Sequence, residues 1–303
     1  MKKRVLITGA AGFIGRYVAK EFSSQDYEVV GIGRGKFTDY AEWGISCWHE
    51  CEITLETLRS FANQPDVIVH CAGGASVGYS VEQPRQDFCR TVDTTSYVLE
   101  YMRLHSPNSK LIYPSSAAVY GQVNVVPISE DIELSPISPY GSHKLMAEQL
   151  CQMYARQYHL SIAIVRLFSI YGEGLRKQLL WDACQKLSQG DRTFFGTGEE
   201  IRDWLHVHDV SKFLMVAKTY ADSSCPIVNV GSGEGVKVRD ILNHLSCALG
   251  YNEVIEFSSQ PKAGDPNAYI ADISKIATWG WQAYIDWHQG ISDYVIWYQQ
   301  QCQ

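Results

Sequence analysis

The sequence of 303 residues lacks long apolar runs and an excess of basic charge. No run approaches the ~18 apolar residues that a membrane-spanning helix requires. The formal net charge of -7 argues against a protein that binds the phosphate backbone of nucleic acids. We therefore expect neither a membrane nor a nucleic acid as a partner, and an anionic ligand would have to be held by local groups.

The nine cysteines are an odd number scattered along the chain, so the sequence lacks a disulfide framework. Free cysteines fit a reducing compartment, and the apolar segment after Met1-Lys2-Lys3-Arg4 is too short for a signal peptide. We expect a cytoplasmic protein. Cys47, His49 and Cys51 lie close together, but the second ligand pair of a zinc site is missing, and we expect no metal.

The most informative stretch is the apolar run Val5-Leu6-Ile7-Thr8, which is followed by Gly9, Gly12 and Gly15. Its order predicts a strand, a tight turn and a helix that begins near Phe13. Glycine allows a positive φ and lets a pyrophosphate approach the backbone, while the amides of the first helical turn attract the anion. The pattern predicts dinucleotide binding by the three glycines, Phe13 and Ile14, although a plain turn that binds nothing has the same sequence signature.

The first half of the chain alternates short β-branched runs with helical stretches, which predicts an α/β fold with a doubly wound parallel (Rossmann) sheet. The predicted strands are Arg4–Thr8, Glu28–Ile32, Val67–His70, Leu111–Pro114 and Ile162–Leu167, and the predicted helices are Phe13–Phe22, Leu55–Asn63, Gln83–Leu104 and Pro139–Tyr158. We expect residues 1–168, with roughly 203–232, to form the NAD(P)-binding domain. Residues 169–202 and 233–303 are expected to form a smaller, interleaved α/β lobe that binds the substrate.

The second predicted strand ends in Gly33-Arg34-Gly35-Lys36, with no carboxylate before Asp39. Enzymes that select NAD usually place an acid here for the ribose hydroxyls, whereas NADP needs a cation for its 2′-phosphate. Arg34 can bond that phosphate. The sequence therefore favours NADP(H), with NAD(H) as the other cofactor, and a solvated basic loop is the plainer interpretation.

Three later residues carry the chemistry of a proton transfer. Tyr140 and Lys144 are four residues apart behind Pro139, so both lie on one face of a helix. A nearby ammonium is expected to lower the pKa of the Tyr140 phenol, which makes it a general acid or base. Ser116 follows a predicted strand, where its hydroxyl would bond the same substrate oxygen.

These residues, taken in order, resemble the extended short-chain dehydrogenase/reductase family, in its nucleotide-sugar epimerase, dehydratase and reductase branch. The similarity covers nearly the whole chain, and the matching segments are Thr8-Gly9-x-x-Gly12-x-x-Gly15, His70-Cys71-Ala72, Val119-Tyr120-Gly121, Ser138-Pro139-Tyr140-Gly141-x-x-Lys144, Arg166, Tyr171-Gly172, Arg202-Asp203-Trp204 and Lys262-Ala263-Gly264-Asp265. The resemblance implies that Ser116, Tyr140 and Lys144 are catalytic. It also implies that Lys144, Tyr140 and Ala72 contact the cofactor.

The resemblance further implies a nucleotide-diphosphate sugar as the substrate. Arg202 would clamp the diphosphate, Lys262 would help where relatives usually carry arginine, and Ser169 would lie beside the substrate. A homodimer is implied as well, with the helices predicted over Gln83–Leu104 and Pro139–Tyr158 pairing with their copies.

Departures from the family pattern narrow the reaction to hydride transfer. Ala117 and Ala118 stand where 4,6-dehydratases carry two acids, and Ala118 and Gly174 stand where GDP-fucose-forming enzymes carry cysteine and histidine. Glu52 and Thr91 also differ from the usual cofactor contacts. Between the two remaining hydride-transfer reactions, the basic Arg34 favours an NADPH-dependent reductase of a nucleotide-linked 4-keto-6-deoxyhexose. The alternatives are a 4-epimerase that retains NAD and, from another class, a non-catalytic NADP(H)-binding sensor.

Overall fold

The computed structural model describes residues 2–251, 254–259 and 267–301. Its helices are α1 Phe13–Ser24, α2 Leu55–Phe61, α3 Val77–Glu82, α4 Pro84–Phe88, α5 Thr94–His105, α6 Pro139–Tyr158, α7 Gln178–Ser188, α8 Val207–Tyr220, α9 Val238–Ala248, α10 Ser274–Thr278 and α11 Trp287–Gln301. The strands are β1 Arg4–Thr8, β2 Glu28–Gly33, β3 Cys47–Glu50, β4 Val67–His70, β5 Lys110–Ser116, β6 Ser161–Leu167, β7 Ser169–Tyr171, β8 Thr193–Phe194, β9 Ile201–His206, β10 Ile227–Val230, β11 Gly235–Lys237, β12 Glu256–Phe257 and β13 Ala268–Tyr269.

The central sheet has seven strands in the order β10-β6-β5-β4-β1-β2-β3. The six neighbouring strands β6, β5, β4, β1, β2 and β3 all pair in parallel. The strand order reverses between β1 and β4, as in doubly wound α/β folds. Their apolar side chains are buried on both faces, because helices cover both sides of such a sheet. The predicted Rossmann-type α/β fold is confirmed, and its ligand-binding edge lies at the carboxyl ends of β1 and β4.

In the central sheet, the structure adds two strands to the five that the sequence predicts, β3 and β10. The helix predicted over Gln83–Leu104 is present over residues 84–105, where α4, a π-helical segment Cys89–Asp93 and α5 follow one another without a break. Sequence patterns did not predict the π-helical segment. Pro84 begins α4 because its fixed φ suits the first helical position.

The chain folds into two compact units. Unit 1 contains Met1–Gly121, Glu133–Leu167 and Ser211–Val228, and unit 2 contains Gln122–Ile132, Phe168–Val210 and Asn229–Gln303. The later segment of unit 1 begins at residue 211 rather than at the predicted residue 203, because β9 pairs with β7, β11 and β13 in the sheet of unit 2. No helix within the described residues combines the length and apolarity needed to cross a bilayer.

A buried ion pair ties α6 to β6 inside unit 1. The Arg166 guanidinium donates to both carboxylate oxygens of Glu148 at 2.8–3.3 Å, and the exposed fractions of the two side chains are 3% and 2%. The Tyr120 hydroxyl accepts from Arg166 at 3.0 Å, and the Ser115 hydroxyl donates to Glu148. Burial lowers the pKa of Arg166, but the bonds and charge of Glu148 outweigh that effect and raise it.

Replacing one partner tests this ion pair. Glu148→Gln leaves a buried guanidinium without its counter-charge, and we expect a loss of about 3–5 kcal/mol in the free energy of unfolding. The control is Glu100→Gln, which breaks the more exposed pair with Arg103 within α5 and should cost less than about 1 kcal/mol. Urea unfolding measures both, and equal losses would contradict the expectation.

Candidate active site

The three glycines of the predicted dinucleotide turn are required by close backbone contacts. Gly9 has a φ of 69°, and a Cβ on it would lie 2.7 Å from the Ala72 nitrogen. A Cβ on Gly15 would lie 2.3 Å from the Gly9 carbonyl oxygen, and one on Gly12 would lie 3.0 Å from the same atom. The loops that follow β1 and β4 therefore touch at the point where the strand order reverses.

Helix α1 begins directly at this turn and leaves its first amides open. Gly12 is the N-cap and has no side chain to cap them, while Phe13 and Ile14 supply N–H groups that no carbonyl within the helix can reach. The free amides and the positive end of the helix dipole attract a phosphate. The turn and the helix start together form a cradle that fits the pyrophosphate of a dinucleotide.

Thr8 and His70 fix the ends of β1 and β4 beside this cradle. The Thr8 hydroxyl and His70 Nδ1 lie 2.6 Å apart, and the Ala72 amide donates to the Thr8 oxygen at 3.4 Å. Burial, with the positive charge of Lys144, lowers the pKa of His70 to about 3, so the imidazole is neutral. Sequence patterns alone did not indicate this pairing, because residues 8 and 70 meet only through the sheet.

Arg34 lies at the end of β2, where its side chain is exposed. Its Nε is 3.9 Å from a Glu52 carboxylate oxygen, and the exposed fractions of the two side chains are 51% and 70%. Such a pair is weak and leaves the guanidinium free to meet a ligand. Beneath it, a Cβ on Gly33 would lie 2.9 Å from the ring of Trp48, so the indole packs against the strand end.

The structure brings the three predicted catalytic residues together in unit 1. Ser138 caps α6 by accepting from the Gly141 amide at 3.1 Å, and Pro139 occupies the first turn, which places Tyr140 and Lys144 on one helix face. Ser116 ends β5, near enough to Tyr140 for its hydroxyl to lower the pKa of the phenol. The serine and the tyrosine thus lie near each other at the carboxyl end of a central strand.

The charge state of Tyr140 differs from the sequence-based expectation. Burial raises the pKa of Tyr140, the Ser116 hydrogen bond lowers it, and Asp87 raises it. Lys144 does not supply the expected lowering. Its Nζ donates to the Pro114 carbonyl at 2.9 Å and lies 5.1 Å from the Tyr113 ring centre. Burial lowers the pKa of Lys144 itself to about 8, so it loses its charge as the pH rises through that value.

Sequence reasoning missed a second buried pair on the catalytic helix. His143 Nδ1 lies 2.6 Å from an Asp87 carboxylate oxygen, and Asp87 is fully buried in α4. Thr91, which stands where relatives often carry asparagine, is buried and accepts from the Gly74 amide at 2.9 Å. Asp87 and His143 are 56 residues apart in the chain, and no sequence motif links them. The pair could therefore be identified only from the folded structure.

The predicted substrate residues belong to unit 2. Ser169 on β7 is in register with Trp204, and Arg202 lies on the adjacent strand β9, where its Nη1 donates to the Ile201 carbonyl at 2.8 Å. Both side chains are partly exposed. Asp203 beside them is fully buried and accepts from the amides of residues 232, 233 and 271. Lys262 lies outside the described residues.

The cysteines of the described residues are free, and no three metal-ligating side chains cluster within that part of the chain. Cys47 Sγ and His49 Nε2 lie 3.3 Å apart on the edge strand β3. Two ligands on an exposed strand do not complete a tetrahedral site.

The glycine turn gives a direct test of cofactor binding. Gly15→Ala forces the new methyl group against the Gly9 carbonyl, and we expect it to weaken NAD(H) and NADP(H) binding at least about tenfold. The control is Gly78→Ala in α3, where the methyl group meets nothing closer than 3.9 Å. Calorimetric titration measures affinity and a melting curve confirms folding. Wild-type affinity in a folded Gly15→Ala protein would contradict the assignment.

Comparison with known proteins identifies relatives of similar length. The chain is 28% identical to a putative UDP-glucose 4-epimerase of Methanocaldococcus jannaschii, and the match covers 97% of this chain and 97% of the relative. It is 30% identical to UDP-glucose 4-epimerase of Azospirillum brasilense over 302 residues, covering 90% of this chain and 85% of the relative.

Two solved structures share the fold at 25% and 26% sequence identity. UDP-glucose 4-epimerase of Thermotoga maritima with UDP-glucose has a TM-score of 0.89 and covers 99% of this chain and 100% of its own. UDP-glucuronic acid 4-epimerase of Bacillus cereus, in complex with UDP-glucuronic acid and NAD, has a TM-score of 0.87 and covers 98% and 99%. Residues 5–231 match the NAD dependent epimerase/dehydratase family, and the chain belongs to that family, within the nucleotide-sugar branch of the extended short-chain dehydrogenases/reductases.

Proposed function

We propose that this protein is a UDP-sugar 4-epimerase that uses a nicotinamide dinucleotide. The observation that carries the proposal is the grouping of Ser116, Tyr140 and Lys144 at the carboxyl edge of the sheet, in the same unit as the glycine cradle. The curated relatives and solved structures described above are 4-epimerases of UDP-sugars, which supports the reaction type.

Each catalytic residue has a distinct task in this proposal. Tyr140 accepts the proton of the sugar C4 hydroxyl during oxidation and returns a proton during reduction. Ser116 donates a hydrogen bond to the same oxygen and orients it. Lys144 bonds the ribose of the cofactor and thereby holds it beside Tyr140.

The glycine cradle would hold the pyrophosphate of the cofactor, since a Cβ at residues 9 or 15 would fill the space next to the backbone. When bound, the nicotinamide supplies the hydride acceptor and donor for C4. The open amides of α1 bind the negative charge and thereby fix the cofactor against β1 and β4.

The sequence placed a 4-keto-sugar reductase first and the 4-epimerase second. The same serine, tyrosine and lysine serve both reactions, so these residues do not separate them. The relatives favour the epimerase, which we adopt as the proposal. A non-catalytic sensor is the weaker interpretation, because Tyr140 and Lys144 are both retained.

We further propose that unit 2 binds the nucleotide-sugar diphosphate through Arg202, with Ser169 on the neighbouring strand and Lys262 as a second cation. A guanidinium matches the geometry of diphosphate oxygens, which suits an anionic substrate of an acidic protein. This assignment keeps the predicted division into a cofactor domain and a substrate lobe.

A homodimer and a cytoplasmic location complete the proposal. Helices α5 and α6 expose apolar side chains that a second copy would cover, and these are Tyr97, Leu104, Met146, Met153 and Tyr158. The free cysteines fit the reducing environment of the cytoplasm.

The epimerase proposal is tested with UDP-glucose, UDP-N-acetylglucosamine and UDP-glucuronic acid, following formation of each 4-epimer by NMR. We expect Tyr140→Phe to lose about 10²–10⁴-fold in kcat, because the general acid–base group is removed, while the dinucleotide still binds. The control Tyr284→Phe makes the same change at an exposed residue. NADPH consumption with a 4-keto-6-deoxyhexose nucleotide, and no interconversion of UDP-sugars, would instead establish the reductase.

A second test addresses the preference for NADP(H) that the sequence predicts from Arg34. Arg34→Ala removes the cation at the end of β2, and we expect NADPH affinity to fall about 10-fold or more while NADH affinity changes less than about twofold. Lys36→Ala, in the same loop, is the matched control. Full NADPH affinity in the Arg34→Ala protein would refute the role of Arg34.

A further inference from the structure

The Asp87–His143 pair lies against the catalytic helix and has no role in the mechanism above. His143 is three residues after Tyr140 and directly precedes Lys144 on α6. Asp87 Oδ2 lies 2.6 Å from His143 Nδ1, and the ring edge of Phe88 packs against the imidazole at 5.5 Å between ring centres. The carboxylate is thus anchored to α6 from the neighbouring helix α4.

The other carboxylate oxygen of Asp87 is buried and has no hydrogen-bond partner among the residues that the structure describes. It lies against the turn that follows β4, because a Cβ on Gly74 would come within 2.0 Å of it. A Cβ on Gly73 would lie 3.6 Å from Lys144 Nζ, so the same turn connects the carboxylate with the lysine. A buried charge with few donors acts strongly on neighbouring ionisable groups.

The carboxylate of Asp87 acts on both catalytic side chains in the same direction. Burial lowers the pKa of Lys144, whereas the negative charge of Asp87 raises it. Burial raises the pKa of Tyr140, and Asp87 raises it further, against the Ser116 hydrogen bond. Removing the charge of Asp87 would therefore lower both values.

We propose that Asp87 and His143 are positioning residues that set the pH range of the catalytic pair, with His143 anchoring the carboxylate and Asp87 stabilising the protonated forms of Lys144 and Tyr140. The activity part of this proposal rests on the proposed epimerase function. The titration part depends only on the arrangement within unit 1.

Other ionisable groups also face the catalytic pair. Cys71 after β4 and Glu148 and Cys151 on α6 raise the pKa of Lys144 together with Asp87, and the ring of Tyr113 on β5 lies beside its Nζ. Asp87 differs from them because it also acts on Tyr140. We therefore expect the loss of Asp87 to shift both the acidic and the alkaline limb of the dependence of kcat on pH.

The first experiment titrates residue 140 without substrate. The tyrosinate absorbance of the wild type minus that of Tyr140→Phe gives the midpoint for Tyr140, and the same difference is measured in the Asp87→Asn background. We expect the midpoint to fall by about one pH unit, a tenfold change in the phenolate ratio at fixed pH. Asp93→Asn removes a carboxylate from the adjoining π-helical segment and should leave the midpoint unchanged.

The second experiment measures kcat against pH for UDP-sugar interconversion. Both limbs of the Asp87→Asn profile should shift to lower pH by about one unit, so activity falls on the alkaline side of the profile and rises on the acidic side. A loss that is equal at every pH, with an unchanged midpoint for residue 140, would overturn the proposal. If no UDP-sugar is converted, the epimerase function fails, and the titration still decides the role of Asp87.

Two variants of His143 keep the test decisive if Asp87→Asn does not fold. His143→Gln retains a donor for the carboxylate and should keep the wild-type midpoint. His143→Leu removes the donor, so the carboxylate is no longer anchored to α6, and the midpoint should move in the direction expected for Asp87→Asn. Identical midpoints for the two variants would contradict the anchoring role.

Discussion

The site depends on keeping a lysine charged where little water reaches it. Lys144 has an exposed fraction of 6%, and burying an ammonium is costly unless donors, acceptors and counter-charges surround it. The Pro114 carbonyl accepts a hydrogen bond from its Nζ, the Tyr113 ring lies beside it, and Glu148 supplies negative charge from the next helical turn. These contacts join β5 and α6, so the buried lysine also helps to hold the sheet against its helix.

Strong local patterns explain the parts of the fold that the sequence predicted. Strand β1 and the glycines after it combine a β-branched run with backbone contacts that no larger residue could make, and α6 begins at the expected proline. β3, with the sequence Cys47–Glu50, has only half-buried or exposed side chains, so it lacks the apolar run that marks a central strand. Its pairing with β2 decides its conformation instead.

Distant contacts explain what could not be predicted at the site. The spacing of Tyr140 and Lys144 fixed their common helix face, but the phenol's protonation depends on Ser116 from β5 and Asp87 from α4. Burial and these two neighbours arise only in the folded chain. Likewise, the residue patterns predicted hydride transfer but did not separate an epimerase from a reductase, because both reactions use the same proton-transfer groups. The relatives favoured the epimerase.

The π-helical segment at Cys89–Asp93 has a consequence for how this region can vary. It follows the short helix that carries Asp87, and the helix after it buries Val98 and Leu99 in the core. Since each residue added to a helix turns it by about 100°, a deletion or insertion between the two would rotate the carboxylate away from α6 or the apolar face away from the core. Natural variation in this stretch should therefore preserve its length even where its exposed side chains differ.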